Sequence, residues 1–304
     1  MSALKLKKVT KYKNKEVKTT GSYAFPTYHM SGEASFYLSV ITGTRNSGKT
    51  NTVINILNIE KDVMLTGDNI VYWVSGTKDA KVEHLLEKYP DNIKYYDEFN
   101  RKSMEEILNE IAERINTWKE HQFIFDLFEK YLKKEDSVDE DELNILIESG
   151  MLDEDTDVKE LIKQHNFHHP PISTLVVDDQ LGSPLISGAN SKDGKWFVKF
   201  IIKHRHEPHL CNVFILTQHY KMVSKPIRSN ANNIIMFASK DAGIADSIFN
   251  EFSPLFKGSK ENYHDALTLV ENTPHGFLNL WYDKHRWVRL CFDEEMQFAS
   301  SASE

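Results

Sequence analysis

The apolar positions of the chain fall into two alternating spacings. Short continuous apolar runs occur at 36–42, 69–75, 93–96, 173–177, 212–217 and 233–238. They are rich in β-branched and aromatic residues and have no exposed-face alternation, which predicts strands buried on both faces. Between them, apolar residues recur at helical spacing in 52–57, in 77–89 where Val82, Leu85 and Leu86 share a face, in 195–206 and in 241–252. Strands alternating with helices predict an α/β fold with a mainly parallel sheet. One stretch breaks the alternation. From residue 100 to about 167, Met104, Ile107, Leu108, Ile111, Ile115 and Trp118 keep a helical period, apolar residues continue through 123–132, and carboxylates crowd 135–160. This predicts a helical insertion with an acidic, solvated face. Near the end, 276–282 and 286–292 flank Asp283-Lys284-His285 and read as an antiparallel hairpin.

Composition sharpens this outline. With 304 residues, 40% hydrophobic and 27% charged, the chain has the make-up of a soluble globular protein. Residues 1–35 read as a basic arm, with Lys5, Lys7, Lys8, Lys11, Lys13 and Lys15 followed by Gly21, Pro26 and Gly32; 36–295 read as a single domain and 296–304 as a disordered tail. No apolar run approaches the roughly 18–20 residues that span a bilayer. The N-terminus lacks the apolar core of a signal peptide, so the protein is expected to remain inside the cell that makes it. Net charge is −8, which argues against a whole-surface nucleic-acid binder but leaves room for one basic face. Cys211 and Cys291 have no C-x-x-C partner and are expected as reduced thiols. His165, His168 and His169 lack an acidic or cysteine partner at ligand spacing and are expected at the surface.

The chemistry concentrates where strands end. After the first run comes Gly43-Thr44-Arg45-Asn46-Ser47-Gly48-Lys49-Thr50, which matches G-x-x-x-x-G-K-T, with a predicted strand before it and a helix after it. That context is what a phosphate-binding loop, the Walker A motif, requires: backbone N–H groups and a helix N-terminus converge on one anion. Lys49 is expected to reach the β- and γ-phosphates of ATP and the Thr50 hydroxyl to ligate Mg²⁺. The run 173–177 ends in Asp178-Asp179, the pattern of a Walker B strand, with Asp178 expected on the metal and Asp179 on the attacking water. Gln218 stands at the tip of the 212–217 run, placed to hydrogen-bond the γ-phosphate or the water. Arg205 precedes that run and Arg228 follows it.

In this order the parts resemble the FtsK–HerA superfamily of P-loop ATPases, and most closely the genome-packaging ATPases of large double-stranded DNA viruses and virophages. The likeness rests on 43–50, on Leu175-Val176-Val177-Asp178-Asp179, and on the stretch from His204-Arg205-His206 through Gln218 to Ile227-Arg228-Ser229-Asn230-Ala231-Asn232. It implies a RecA/ASCE-like core of mainly parallel strands flanked by helices, carrying the helical insertion and the C-terminal hairpin. It also implies ATP hydrolysis with Mg²⁺, a homo-oligomeric ring, commonly a hexamer, and translocation of duplex DNA through phosphate contacts without base specificity. A capsid protein or portal site as partner, and an infected host cell as location, in a cytoplasmic viral factory in preference to the nucleus, or in association with the virion, follow from the same resemblance. Within the family one subunit lends an arginine finger to the next; Arg205 and Arg228 both fit. The acid after the metal-binding Asp is Glu in most cellular members and Asp179 here. A small-molecule kinase would need an arginine-rich lid, and a GTP-driven switch an N/T-K-x-D segment, which Ser239-Lys240-Asp241 only approximates.

Overall fold

A computed structural model describes residues 25–32, 36–134, 137–152, 169–180, 182–239, 241–283, 286–292 and 294–298. Most of the basic arm, the carboxylates at 153–160, His165, His168, Lys284, His285 and the last residues of the tail lie outside them.

Among the described residues, nine strands form one sheet in the order β3-β2-β4-β5-β1-β6-β7-β8-β9. The strands are β1 (Leu38–Thr42), β2 (Ile70–Ser75), β3 (Ile93–Tyr96), β4 (Ser173–Asp178), β5 (Cys211–Thr217), β6 (Asn233–Phe237), β7 (Phe277–Tyr282), β8 (Arg286–Leu290) and β9 (Glu294–Glu295). From β3 to β6 all neighbours are parallel, and β7 to β9 extend the sheet antiparallel. The expected α/β class is thus the observed one. β1 and β5 are buried at every residue, which accounts for their unbroken apolar runs.

The helices are α1 (Lys49–Ile59), α2 (Lys61–Met64), α3 (Ala80–Lys88), α4 (Arg101–Lys133), α5 (Glu140–Glu148), α6 (Pro184–Ser187), α7 (Lys192–Lys203), α8 (Lys225–Arg228), α9 (Ala242–Phe252) and α10 (Lys260–Asn272). Two boundaries differ from the sequence expectation for local reasons. α3 starts at residue 80 because the Asp79 carboxylate caps it, accepting from the Lys81 and Val82 N–H groups at 3.0 Å. α7 starts at 192 because the Ser191 hydroxyl caps it, and it ends at 203, leaving 204–206 outside the helix. α10 was not anticipated, although Ser259 caps it and Tyr263, Ala266 and Val270 line its buried face.

α4 explains the long helical period. Its first half buries Met104, Ile107, Ile111 and Ile115 in the main core, while Leu127 and Phe128 form a separate small cluster with Leu146 of α5. At about 1.5 Å per residue it is some 50 Å long, and its second half packs with α5 in that separate cluster. The segment before β1 is tied down by Glu60. This fully buried carboxylate accepts from the His29 N–H at 2.7 Å and the Met30 N–H at 2.6 Å. Both cysteines are free, Cys211 buried and Cys291 half-buried. No described helix is long and apolar enough to cross a membrane.

Candidate nucleotide site

β1, β4 and β5 run in parallel register, so Thr42, Asp178 and Thr217 reach the same edge of the sheet. The chain leaves β1 there through residues 43–48 and turns into α1. Backbone freedom matters at two positions. A Cβ on Gly43 would lie 2.6 Å from Ser47 Oγ and 2.8 Å from Phe237 Cβ, and Gly48 has φ +113°. Asn46, at φ 62°, also lies in the left-handed region. Alternation of such residues turns successive N–H groups inward, the geometry of an anion-binding nest.

The end of α1 is open. α3, α4, α5, α7, α9 and α10 each have a side-chain cap, whereas α1 has Gly48 at its cap position with no side-chain hydrogen bond and no acid in its first turn. Its N–H groups and dipole therefore remain available to an anion. Ser47 Oγ, within the loop, is buried with no hydrogen-bond partner. Lys49 is buried and folds back on the loop, donating to Gly43 O and Thr44 O, each at 2.9 Å. Burial pushes its ammonium pKa down, opposed by Asp179 and Asp178.

The two acids play distinct structural parts. Asp178 is the last residue of β4, and its Oδ2 accepts from the Thr50 hydroxyl at 3.1 Å. Burial, with Asp179 and Asp79 adding repulsion, pushes its carboxyl up to about 6 against the pull of Thr50 and Lys49. Asp179 lies past the strand with φ 53°, and the Gln218 amide donates to its Oδ2 at 2.8 Å. The Gly43 N–H donates to Thr217 O, tying the loop to the tip of β5. Lys49, Thr50, Asp178, Asp179 and Gln218, predicted from three separate segments, thus meet at one edge.

The two arginines do not join them. Arg205 is exposed between α7 and the start of β5, at the opposite edge of the sheet. Arg228 stacks over Tyr220, donates from Nε to Val223 O at 3.0 Å and pairs with Glu251, leaving its side chain 11% exposed. Among the described residues, neither bonds to a motif residue or lines the cavity beside the loop.

A cavity of about 420 Å³ runs beside the loop and α1, lined by Asn46, Lys49, Thr50, Asp79, Phe237 and His275 among others. Asp79, Phe237 and His275 were not singled out from the sequence; only the Asp79 cap had a local signal. A cavity of about 470 Å³ opens elsewhere, among Asp68, Asp91, Glu113 and Arg114, and contains none of the motif residues. The oxygen pair of Thr50 and Asp178 fits Mg²⁺, which is held by one or two carboxylates together with phosphate oxygens and water.

No family model and no curated protein matches the chain. Among solved structures, it is similar to EssC (ATPases 2 and 3) from Geobacillus thermodenitrificans, with 12% identity, coverage of 84% of this chain and 38% of that one, and a TM-score of 0.41. It is similar to the pCW3 conjugation coupling protein TcpA in its monomer form with ATPγS, with 15% identity, 86% and 60% coverage, and a TM-score of 0.41. It is also similar to the genome packaging NTPase B204 from Sulfolobus turreted icosahedral virus 2 in complex with AMP, with 13% identity, 84% and 96% coverage, and a TM-score of 0.45. At these identities none of the three hands its activity to this chain. The mainly parallel sheet, with its phosphate-type loop between β1 and α1, has the arrangement of a P-loop NTPase core.

Proposed function

We propose that the chain is an ATP phosphohydrolase that translocates double-stranded DNA and packages a viral genome into a capsid inside the infected cell, working as a homo-oligomeric ring. The observation that supports hydrolysis most directly is the convergence of Lys49, the Thr50–Asp178 pair and the Asp179–Gln218 pair on the open end of α1. The packaging role, the ring and the capsid partner come from the motif resemblance.

The residues divide the work. The backbone of 43–48 and the α1 N-terminus receive the phosphates, and Lys49 exchanges its two carbonyl partners for β- and γ-phosphate oxygens. Mg²⁺ held by Thr50 and Asp178 would supply charge neutralisation on those oxygens. Asp179 orients the attacking water, and Gln218, bonded to Asp179, senses whether water and γ-phosphate are in place. Neither Arg205 nor Arg228 joins the site within its own chain. A neighbour's arginine is worth about 10³–10⁵ in rate in enzymes of this kind, which makes hydrolysis depend on assembly.

The test is ATP hydrolysis against protein concentration, with and without duplex DNA, for wild type, Lys49→Ala, Arg205→Ala and Arg228→Lys. The lysine replacement at 228 keeps a cation beside Glu251. A steep concentration dependence, stimulation by DNA, and rescue of one arginine variant by mixing with Lys49→Ala are expected. Hydrolysis indifferent to both concentration and DNA sinks the motor and leaves an ATPase of another kind.

A further inference from the structure

α7 bears a basic stripe. Lys192, Lys195, Lys199 and Lys203 are all exposed, and at 3.6 residues per turn they fall within about a quarter-turn of one another. Gly194, Phe197, Phe200 and Ile201 occupy the opposite face and bury it against the core. None of the four lysines has an ion pair among the described residues, and the one acid on the helix, Asp193, pairs with Arg101 at 3.3 Å. In a chain of net charge −8, an unshared row of four cations some 16 Å long is a local field of the wrong sign for the protein and the right sign for a polyphosphate.

We propose that the Lys192–Lys195–Lys199–Lys203 face of α7 is the track that contacts the phosphate backbone of duplex DNA. The inference rests on the motor reading and names its DNA surface. Duplex DNA carries one charge per roughly 1.7 Å of axis, so a straight lysine row finds phosphates at any register, without base contacts. An acidic face of a second copy, such as the exposed Glu140 and Asp141 of α5, would have to match the row side chain by side chain.

The helix that carries the stripe packs against the segment that follows Asp179. The chain passes from Asp179 and Gln180 into α6, where the Ser183 N–H donates to Gln180 O at 3.0 Å. α6 is then locked to α7 by close backbone contact: a Cβ on Gly194 would lie 1.9 Å from Gly188 O.

The experiment is a salt titration of the full chain binding a labelled random-sequence duplex, comparing wild type with the variant carrying Lys192→Gln, Lys195→Gln, Lys199→Gln and Lys203→Gln. Basal ATP hydrolysis without DNA and sedimentation are measured alongside. Four phosphate contacts correspond to about 3.6 in the slope of log affinity against log salt, so the variant should show a slope shallower by about 3 to 4. Between about 50 and 200 mM salt, wild type should lose about 10²-fold more affinity than the variant. Basal hydrolysis and sedimentation should be unchanged. Equal slopes with duplex binding intact would overturn the track and leave the motor standing. A variant that keeps duplex binding but loses assembly would overturn the track too, and assign the stripe to contact between copies. Wild type that binds no duplex at any salt would overturn the track and the motor reading together.

Discussion

Asp178→Asn should make the nucleotide-free protein more stable while abolishing its response to Mg²⁺ and ATP. The Asp178 carboxyl is raised from an ordinary 3.8 to about 6, with burial as the largest cause. A rise of about two units, at roughly 1.4 kcal/mol each, means that holding this group ionised in the folded chain costs about 3 kcal/mol. Asparagine has nearly the same shape, and its amide oxygen can still accept from Thr50. The lost attraction to Lys49 is already contained in that shift, so the gain expected at pH 7.5 is at most about 3 kcal/mol. For 304 residues, at about 2.1 cal/mol/K of unfolding entropy per residue, that raises Tm by up to roughly 5 °C.

The pH dependence carries the sharper test. Because the folded pKa lies above the unfolded one, the unfolded chain binds fewer protons between about pH 4 and 6 and stability falls as pH rises through that window. The cost is absent below about 3.8 and complete above about 6. Wild type and Asp178→Asn should therefore melt together in acid and separate toward neutrality, read by calorimetry in a chelator from pH 4 to 8. Taking the difference between the two proteins cancels other titrations, including that of His204, which burial pushes down to about 4. Adding Mg²⁺ and ATP at about 100 times Kd should stabilise wild type by about 2.7 kcal/mol and leave the variant where it was. A variant less stable than wild type at pH 7.5 without ligand, or a gap that does not change with pH, would refute the assignment of Asp178 as a strained, buried anion awaiting a cation.

Other outcomes follow from single contacts. Gly43→Ala drives a methyl into Ser47 Oγ and Phe237 Cβ; it should cost about 1–3 kcal/mol in melting and at least 10²-fold in hydrolysis, since the loop must shift to make room. Glu60→Gln replaces one of two accepting oxygens with an NH₂ facing a backbone N–H; it should cost about 2–4 kcal/mol by urea denaturation with hydrolysis per folded molecule unchanged. Glu251→Gln weakens the hold on Arg228 from both Glu251 and Tyr220; if Arg228 acts in trans, activity per assembled chain should rise or hold, whereas a fall of tenfold or more with intact assembly would show that its seat against Glu251 is the working position.

What was legible in the sequence was local or repeated in register. The loop 43–50 carries its own constraints, because two glycines, a lysine and a hydroxyl at fixed spacing are needed whatever surrounds them. Asp178 and Gln218 were legible because each ends an apolar run, and in a parallel sheet buried on both faces every such run delivers its last residue to the same edge. Asp79 and Phe237 illustrate the opposite case. Asp79 announces itself only as the cap of α3, and its closeness to Asp178 arises because β2 pairs with β4, a neighbour relation set by strand order rather than by chain order. Phe237 looks like any strand aromatic until β6 is placed beside β1, which puts its ring against Gly43 and Gly48. The arginines differ in kind again. Their motif positions could be read, but whether a cation is free depends on Glu251 and Tyr220 for Arg228, and on which sheet edge Arg205 reaches. The α7 lysines show where the boundary falls. Their spacing was in the sequence throughout, yet a charge run on a helix is ordinarily a solvated face, and only the ion-pair inventory around it separates four unshared cations from four neutralised ones. Residue types at fixed spacing thus locate the chemistry, while strand order and the partners of each charge decide which groups remain available to use it.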